Sequence, residues 1–353
     1  DYAMFQTAMA YGYRNDYAKK IQTLQTLFGE HPETSLAAVA RYELGESYFL
    51  ADKLPRALAS FNTVITDFSQ SPYRKKSLLK RGLVQYRMGA YDDAIASYKT
   101  VVKDYGVDAE SQEAIATLKN IYLDLGRVDE YSDWLATVSD YEVSPGELDS
   151  LSYQAAENLV AANNCDAAMP ALEKYLKSHP AGLFVTNAQY YLADCAYRKN
   201  DFERALEGFE YVVDQPTGQF TEAALLGAAD ILYHKEEFEN ALDKYRRLEK
   251  VAAFPTNILE AKIGQMRVDY KLGNYDDAKA MANAVLEDSN TPDDIRKEAR
   301  LTRARIRFTN KEYESAKADY TWLAENTRSK EGAESQYRLA QIAYLQRDGK
   351  KAE

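Results

Sequence analysis

The sequence predicts an all-α solenoid of about nine to ten helix pairs. A small residue returns at nearly constant spacing along the 353 residues, in steps of 36 to 38. Each copy lies in the second of two short helical patterns, with Gly or Asn between the two patterns and Pro between successive pairs. A period of this length, held over the whole chain, indicates stacked helix pairs. These marker positions are Ala57, Ala94, Ala168, Ala205, Ala241, Ala278, Ala316 and Ala352, with Lys20 and Tyr131 in the same phase of two degenerate copies.

The residues around each marker predict which helix faces are buried. Large apolar or aromatic residues mostly occupy the positions three before and four after it, such as Tyr91 and Tyr98 around Ala94. These spacings put the three positions on one face of the second helix. In the first helix, apolar or small residues fall 8, 12 and 15 places before the marker and, on the opposite face, 10 and 17 places before it. We therefore expect each first helix to be buried on two faces, as a stacked helix must be.

Composition and charge limit the classes of function. Apolar residues make up 46% of the chain and charged residues 28%, which favours a folded protein over a disordered one. The formal net charge of −11 argues against nucleic-acid binding, which needs a basic surface. No apolar run approaches the roughly 20 residues of a membrane helix. Because the sequence begins at Asp1 without Met or a signal peptide and ends inside an expected helix, we interpret it as a segment of a longer protein.

No motif predicts catalysis, a metal site or a cofactor. His31 and His179 are equivalent loop positions of two repeats, each before Pro, and we expect His234 to be a solvated surface residue. The sequence has no phosphate-binding loop, zinc-protease motif or nucleophile elbow. We therefore predict a protein that is not an enzyme and binds no cofactor.

The two cysteines do not have metal-ligand spacing. We expect Cys165 and Cys195 to be two buried thiols in helices. The alternative is a disulfide between neighbouring repeats, which requires their Cα atoms to lie within about 7 Å.

The stretch from Leu78 to Tyr98 resembles the tetratricopeptide repeat, or TPR. It has Gly82 in the first helical pattern and Tyr91, Ala94 and Tyr98 in the second, where small residues let two helices approach and aromatics fill the space beside them. The resemblance covers nearly the whole chain. It implies a right-handed superhelix whose first helices line a concave groove that takes a protein or peptide partner.

The resemblance also has departures. The period is about three residues longer than the 34 usual for the family. The copy with Lys119 and Tyr131 lacks both small residues, so we expect its helix pair to be splayed. We predict one array over residues 1–353, with a softer junction near 126–148.

The stretch from Leu44 to Tyr73 resembles a narrower group, the bacterial envelope TPR proteins. BamD-like outer-membrane assembly lipoproteins and the Tol-Pal accessory protein carry a similar L-G-x-x-Y-Y/F element, then A-x-x-x-F and a Pro-linked tail. Residues Tyr190 to Val213 repeat the pattern. The resemblance implies a periplasmic or cell-envelope scaffold, with a cytoplasmic location as the alternative.

Groove residues are predicted at 18, 14, 11 and 7 places before each marker. Basic groups at these places could hold the carboxylates of a partner, although ordinary solvated helix faces would look the same. Lys76 and Lys80 match the basic pair of TPR proteins that grip chaperone C-termini, but Glu43 occupies a place where that clamp has Asn, so we do not predict chaperone-tail capture. The candidate groove residues are Lys76, Lys80, Arg87, Tyr191, Asp194, Arg198, Arg267, Lys271 and Arg305.

A second basic feature is an arginine stripe on one side of a first helix. It consists of Arg296, Arg300, Arg303 and Arg307. One interpretation is salt bridging to acids of adjacent second helices, such as Glu287, Asp288, Glu312 and Glu314; the other is a docking patch for an acidic partner. We favour the first interpretation.

These observations predict a non-enzymatic scaffold that binds a protein or peptide in its groove. Two alternatives are a structural spacer and a regulatory array, each attached to a functional domain outside this segment.

Overall fold

The computed structural model describes residues 1–139, 141 and 144–349. Among these residues no helix has both the length and the apolar character needed to cross a membrane. The marker at Ala352 lies outside the described residues. The described residues form nineteen α-helices: α1 (Tyr2–Tyr13), α2 (Tyr17–Glu30), α3 (Ala37–Leu50), α4 (Leu54–Asp67), α5 (Tyr73–Arg87), α6 (Tyr91–Tyr105), α7 (Ala109–Asp124), α8 (Val128–Leu135), α9 (Pro145–Ala161), α10 (Cys165–Ser178), α11 (Val185–Arg198), α12 (Phe202–Val213), α13 (Thr221–His234), α14 (Phe238–Val251), α15 (Pro255–Leu272), α16 (Tyr275–Glu287), α17 (Asp293–Thr309), α18 (Tyr313–Asn326) and α19 (Lys330–Gly349).

The helices are packed in consecutive pairs, as the period predicts. Odd-numbered helices are first helices and even-numbered helices are second helices. The seven marker alanines from Ala57 to Ala316 are fully buried, and Tyr131 is buried at its degenerate position. First helices are buried on two faces: in α15, Ile263 and Met266 are buried on one side and Ala261 and Val268 on the other. The all-α prediction is confirmed.

Each turn inside a pair has one residue with a left-handed backbone. It lies two residues before the start of the second helix in all nine pairs of the described chain. Gly adopts this conformation without steric cost, and Asn and Asp tolerate it better than other side chains do. The turn chemistry therefore sets where each second helix begins. The nine residues are Asn15, Asp52, Gly89, Gly126, Asn163, Asn200, Glu236, Gly273 and Lys311.

The helices pack into two compact units, Asp1–Ala155 and Ala156–Glu353, called unit 1 and unit 2 below. Unit 1 contains α8, which has only eight residues. Lys119 of α7 turns its ammonium group toward Glu147, at 3.6 Å. The right-handed superhelix, the single array over 1–353 and the softer junction near 126–148 stay predictions.

The expectation of two buried thiols is wrong. Cys165, the first residue of α10, forms a disulfide with Cys195 of α11, and their Cα atoms are 5.4 Å apart. Cys195 is buried and Cys165 is half-buried. Because the start of α10 packs beside the last turn of α11, the two residues meet although they belong to different repeats.

Candidate partner-binding groove

Within each unit, some neighbouring first helices contact one another and form a wall. α3 packs against α5 in unit 1, and α15 packs against both α13 and α17 in unit 2. Residues at the predicted groove offsets form ion pairs from one first helix to the next. These offsets therefore lie where the first helices meet. We call this wall the first-helix face.

In unit 1, two of the three candidate cations already have an acidic partner. Lys80 Nζ is 3.1 Å from Glu46 of α3. Arg87 Nη2 is 2.9 Å from Asp52, in the turn after α3. The side chain of Lys76 is exposed, with its ammonium 6.0 Å from the ring centre of Tyr73.

In unit 2, the guanidinium groups of Arg267 and Arg305 each bind one carboxylate through two parallel hydrogen bonds. Arg267 donates to Glu298 at 2.7 and 2.6 Å. Arg305 donates to Glu334 at 2.8 and 2.5 Å. These hydrogen bonds raise the pKa of both arginines, against the burial that lowers it.

The candidate residues of α11 contact other groups of the same chain. Arg198 is 2.5 Å from Asp194, four residues earlier, and donates to Asn163 at 2.8 Å. The ring of Tyr191 meets that of Phe220 edge to face, with centres 5.3 Å apart. Lys271 of α15 is exposed. Most of the predicted cations of the first-helix face are therefore already paired with a carboxylate of the same chain.

Three successive first helices of unit 2, α11, α13 and α15, line an open cleft of about 380 Å³. Its floor includes aromatic rings from second helices, which reach it because the first helices have glycine there. A Cβ atom on Gly227 would lie 2.6 Å from the ring of Phe209, and one on Gly264 would lie 2.4 Å from the ring of Tyr245. The other lining residues are Tyr190, Asp194, Tyr197, Ala223, Leu226, Asp230, Glu260 and Arg267.

The cleft contains a short hydrogen bond between a phenol and a carboxylate. Tyr197 Oη donates to Asp230 Oδ2 at 2.5 Å. This bond and partial burial raise the pKa of Tyr197 to about 12, because ionising the phenol would place two negative charges together. The imidazole Nε2 of His234 is 3.5 Å from the other oxygen of Asp230.

Two of the predicted groove residues, Asp194 and Arg267, line this cleft, together with Asp230 and Tyr197, which were not among the predicted residues. Asp230 lies 11 places before the marker Ala241, at one of the predicted offsets. The same rule applied to that repeat would have found it. The offset of Tyr197, 8 places before its marker, predicts a buried face, and the residue is half-buried in the structure.

The arginine stripe of α17 is engaged inside the fold. Arg300, Arg303 and Arg307 all donate to Asp319 of α18, at 2.7 to 3.2 Å. Arg296 donates to carbonyl oxygens at and just after the end of α16. The favoured interpretation, salt bridging to second helices, is confirmed, but the acid is Asp319 and none of the four suggested from the sequence.

Stacked helix pairs with a first-helix face define this chain as an α-helical repeat protein. Residues 2–34, 39–71 and 76–106 match one tetratricopeptide repeat family model. Residues 153–220 and 200–258 match a second tetratricopeptide repeat model. The chain therefore belongs to the tetratricopeptide repeat family.

Solved structures to which this chain is similar at low identity include the following three. A tetratricopeptide repeat protein from Parabacteroides merdae is 13% identical, over 85% of this chain and 97% of its own, with a TM-score of 0.33. Yeast Tom70 is 13% identical over 98% and 96%, with a TM-score of 0.37. A chain of the APC/C hetero-tetramer Cut9–Hcn1 is 12% identical over 96% and 89%, with a TM-score of 0.44. These likenesses support no conclusion about function, and comparison with curated proteins gave no significant match.

Proposed function

We propose that the chain is a non-enzymatic scaffold that binds a protein or peptide partner along its first-helix face. The observation that carries the proposal is the cleft of unit 2, which is built by side chains of three successive first helices and floored by aromatic rings. A cleft shared by several repeats suits an extended ligand, because each repeat presents a further set of side chains at a regular interval.

The nine predicted groove residues belong to this proposal. Lys76 and Lys271 offer exposed ammonium groups. Lys80, Arg267 and Arg305 could hold a partner's carboxylate only by exchanging their present acid for it. Such an exchange gains little, since one charge-assisted hydrogen bond replaces another.

We also propose that the chain works in the bacterial cell envelope. The stretch Leu44–Tyr73 supports this, because it is similar to envelope TPR proteins. The Cys165–Cys195 disulfide supports it independently, because disulfides persist in oxidising compartments such as the periplasm and are rare in the cytosol.

Site-specific crosslinking in living cells tests the binding function. A photo-crosslinking amino acid replaces Ala223, an exposed residue of the cleft lining, and as a matched control Glu239, which is exposed on the second helix α14. We expect protein adducts from position 223 and few or none from position 239. Equal yields of adduct, or none at either position, would refute groove binding and favour a structural spacer.

Thiol trapping tests the compartment. A membrane-permeant alkylating reagent is added to intact cells, and the protein is then analysed by mass spectrometry. We expect Cys165 and Cys195 to escape alkylation unless the sample is reduced first. Complete alkylation without reduction would contradict the envelope proposal and leave the binding proposal untouched.

A further inference from the structure

The charge of the first-helix face changes sign along unit 2. One column of residues, 11 places before each marker, has one member on each first helix from α9 to α17. The members are, in order, Glu157, Asp194, Asp230, Arg267 and Arg305. The face is therefore acidic over three helices and basic over the next two.

The basic members carry no surplus charge, because each is bound by one carboxylate of the next first helix. Arg267 is bound by Glu298 and Arg305 by Glu334. In the acidic part, Asp194 is neutralised by Arg198. The sign of the cleft is consequently set by the acids that have no such cation.

In the cleft these acids are Asp230 and Glu260. Asp230 accepts a hydrogen bond from the neutral phenol of Tyr197 and lies near His234, which is charged only when protonated. Glu260 is exposed in the second turn of α15. Among the described residues, no Lys or Arg nitrogen lies within 4.0 Å of either carboxylate. With the pairs Asp194–Arg198 and Arg267–Glu298 counted as neutral, the cleft has a net charge of about −2.

We propose that this cleft takes a basic segment of a partner protein, with a Lys or Arg side chain between Asp230 and Glu260. The proposal rests on the proposed function and names the chemistry of its partner. Charge complementarity favours a cation, because a partner's carboxylate would meet two uncompensated negative charges there.

The aromatic lining fits the same occupant. Tyr190, Tyr197 and Tyr245 line the cleft. One face of Tyr190 is stacked on Phe220 and Tyr245 is buried, whereas Tyr197 is half-buried, and a tyrosine ring attracts an ammonium or guanidinium group. Leu226 and Ala223 supply apolar surface for the methylene stem that Lys and Arg carry. An extended segment along α11, α13 and α15 would place such a side chain in the cleft and continue over the acidic part of the column.

Fluorescence anisotropy with defined peptides tests the proposal on the full chain. The probe is a fluorescein-labelled peptide that alternates Lys with Ser, and its counterpart has Glu in place of Lys. The test variant is Asp230→Asn with Glu260→Gln. The matched control is Asp243→Asn with Glu239→Gln, which changes the net charge equally on the exposed side of α14.

We expect the test variant to weaken binding of the Lys peptide about tenfold or more, since it removes two charge-assisted contacts. The control variant should change binding by less than about twofold, because exposed charges outside the site are screened by salt. The Glu peptide should not bind the unmodified chain or either of these two variants. Ala223→Arg, which adds a cation to an exposed lining position, should also weaken binding of the Lys peptide and does not depend on how Asp230→Asn folds.

Equal losses in the test and control variants would show attraction to bulk charge and overturn the proposal. Undiminished binding of the Lys peptide to the test variant would also overturn the proposal. Displacement of the peptide by stoichiometric spermidine would overturn it in favour of a small polyamine as the ligand. If cells give crosslinks at position 223 but the Lys peptide shows no preference for the cleft, only this inference fails. If neither is seen, the proposed function fails with it.

Discussion

Asp319 should be important for the packing of α17 against α18. Its side chain is 1% exposed, and its two oxygens accept four N–H donors from Arg300, Arg303 and Arg307. Asp319→Asn keeps the shape of the side chain but removes the charge and turns one oxygen into a donor. That donor would face arginine donors, so at least two charge-assisted hydrogen bonds are lost.

The size of the effect follows from the geometry. A hydrogen bond to a charged group contributes about 1.5–3 kcal/mol, so two of them give roughly 3–6 kcal/mol. The three arginine side chains are 29, 16 and 22% exposed and can turn partly toward water, which recovers some of the loss. We expect a net loss of about 3 kcal/mol, at the lower end for breaking a buried ion pair.

Hydrogen exchange is the suitable assay, because repeat arrays can unfold locally and one global unfolding free energy need not describe them. About 3 kcal/mol corresponds to roughly 100-fold faster exchange of the protected amides of α17 and α18. Exchange in α3 and α4 of unit 1 serves as the internal control and should not change. An increase below about threefold in α17 and α18 would refute the view that Asp319 holds the two helices together.

Three further outcomes are expected. Gly264→Ala places a methyl group against the buried ring of Tyr245 and should destabilise α14–α15 by about 1–3 kcal/mol in hydrogen exchange, whereas Gly29→Ala, with open space around it, should be neutral or stabilising. Reducing the disulfide should destabilise the α10–α11 region by about 3–4 kcal/mol in the same assay. An unchanged exchange rate there would contradict the view that the disulfide stabilises the packing of these two helices. The pKa of Tyr197 is raised to about 12, so its bond to Asp230 stabilises the fold fully below pH 10 and is lost as the pH rises through about 12. Ultraviolet titration should show one late-ionising tyrosine fewer in Asp230→Asn.

The fold could be predicted because the repeat supplies many copies of one pattern. A marker such as Ala94 is weak evidence alone, but its recurrence in phase defines the buried faces of both helices. The left-handed turn residue is only partly visible in the sequence: seven of its nine copies are Gly, Asn or Asp, and the other two are Glu236 and Lys311. A break between two helical patterns does not by itself indicate which backbone conformation the turn requires, so the structure was needed to show it.

Which groove residues pair with one another was harder to predict, because the pairing depends on distances between repeats. Arg267 and Glu298 occupy different offsets of successive repeats, and only the packing of α15 against α17 shows that they meet. Arg305 and Glu334 repeat the same two offsets, which is a signal that a search for acid–base pairs across repeats would detect. The cysteines illustrate the same limit, since their meeting depends on how α10 lies beside α11.

The disulfide also determines how the chain would respond to mechanical force. It joins two positions 30 residues apart in neighbouring repeats. The segment between the two positions cannot extend while the disulfide is intact. At about 3.5 Å per extended residue, the fully stretched oxidised chain is therefore roughly 100 Å shorter than the reduced chain. Under a pulling force, the oxidised chain would therefore reach its full extension sooner than the reduced chain.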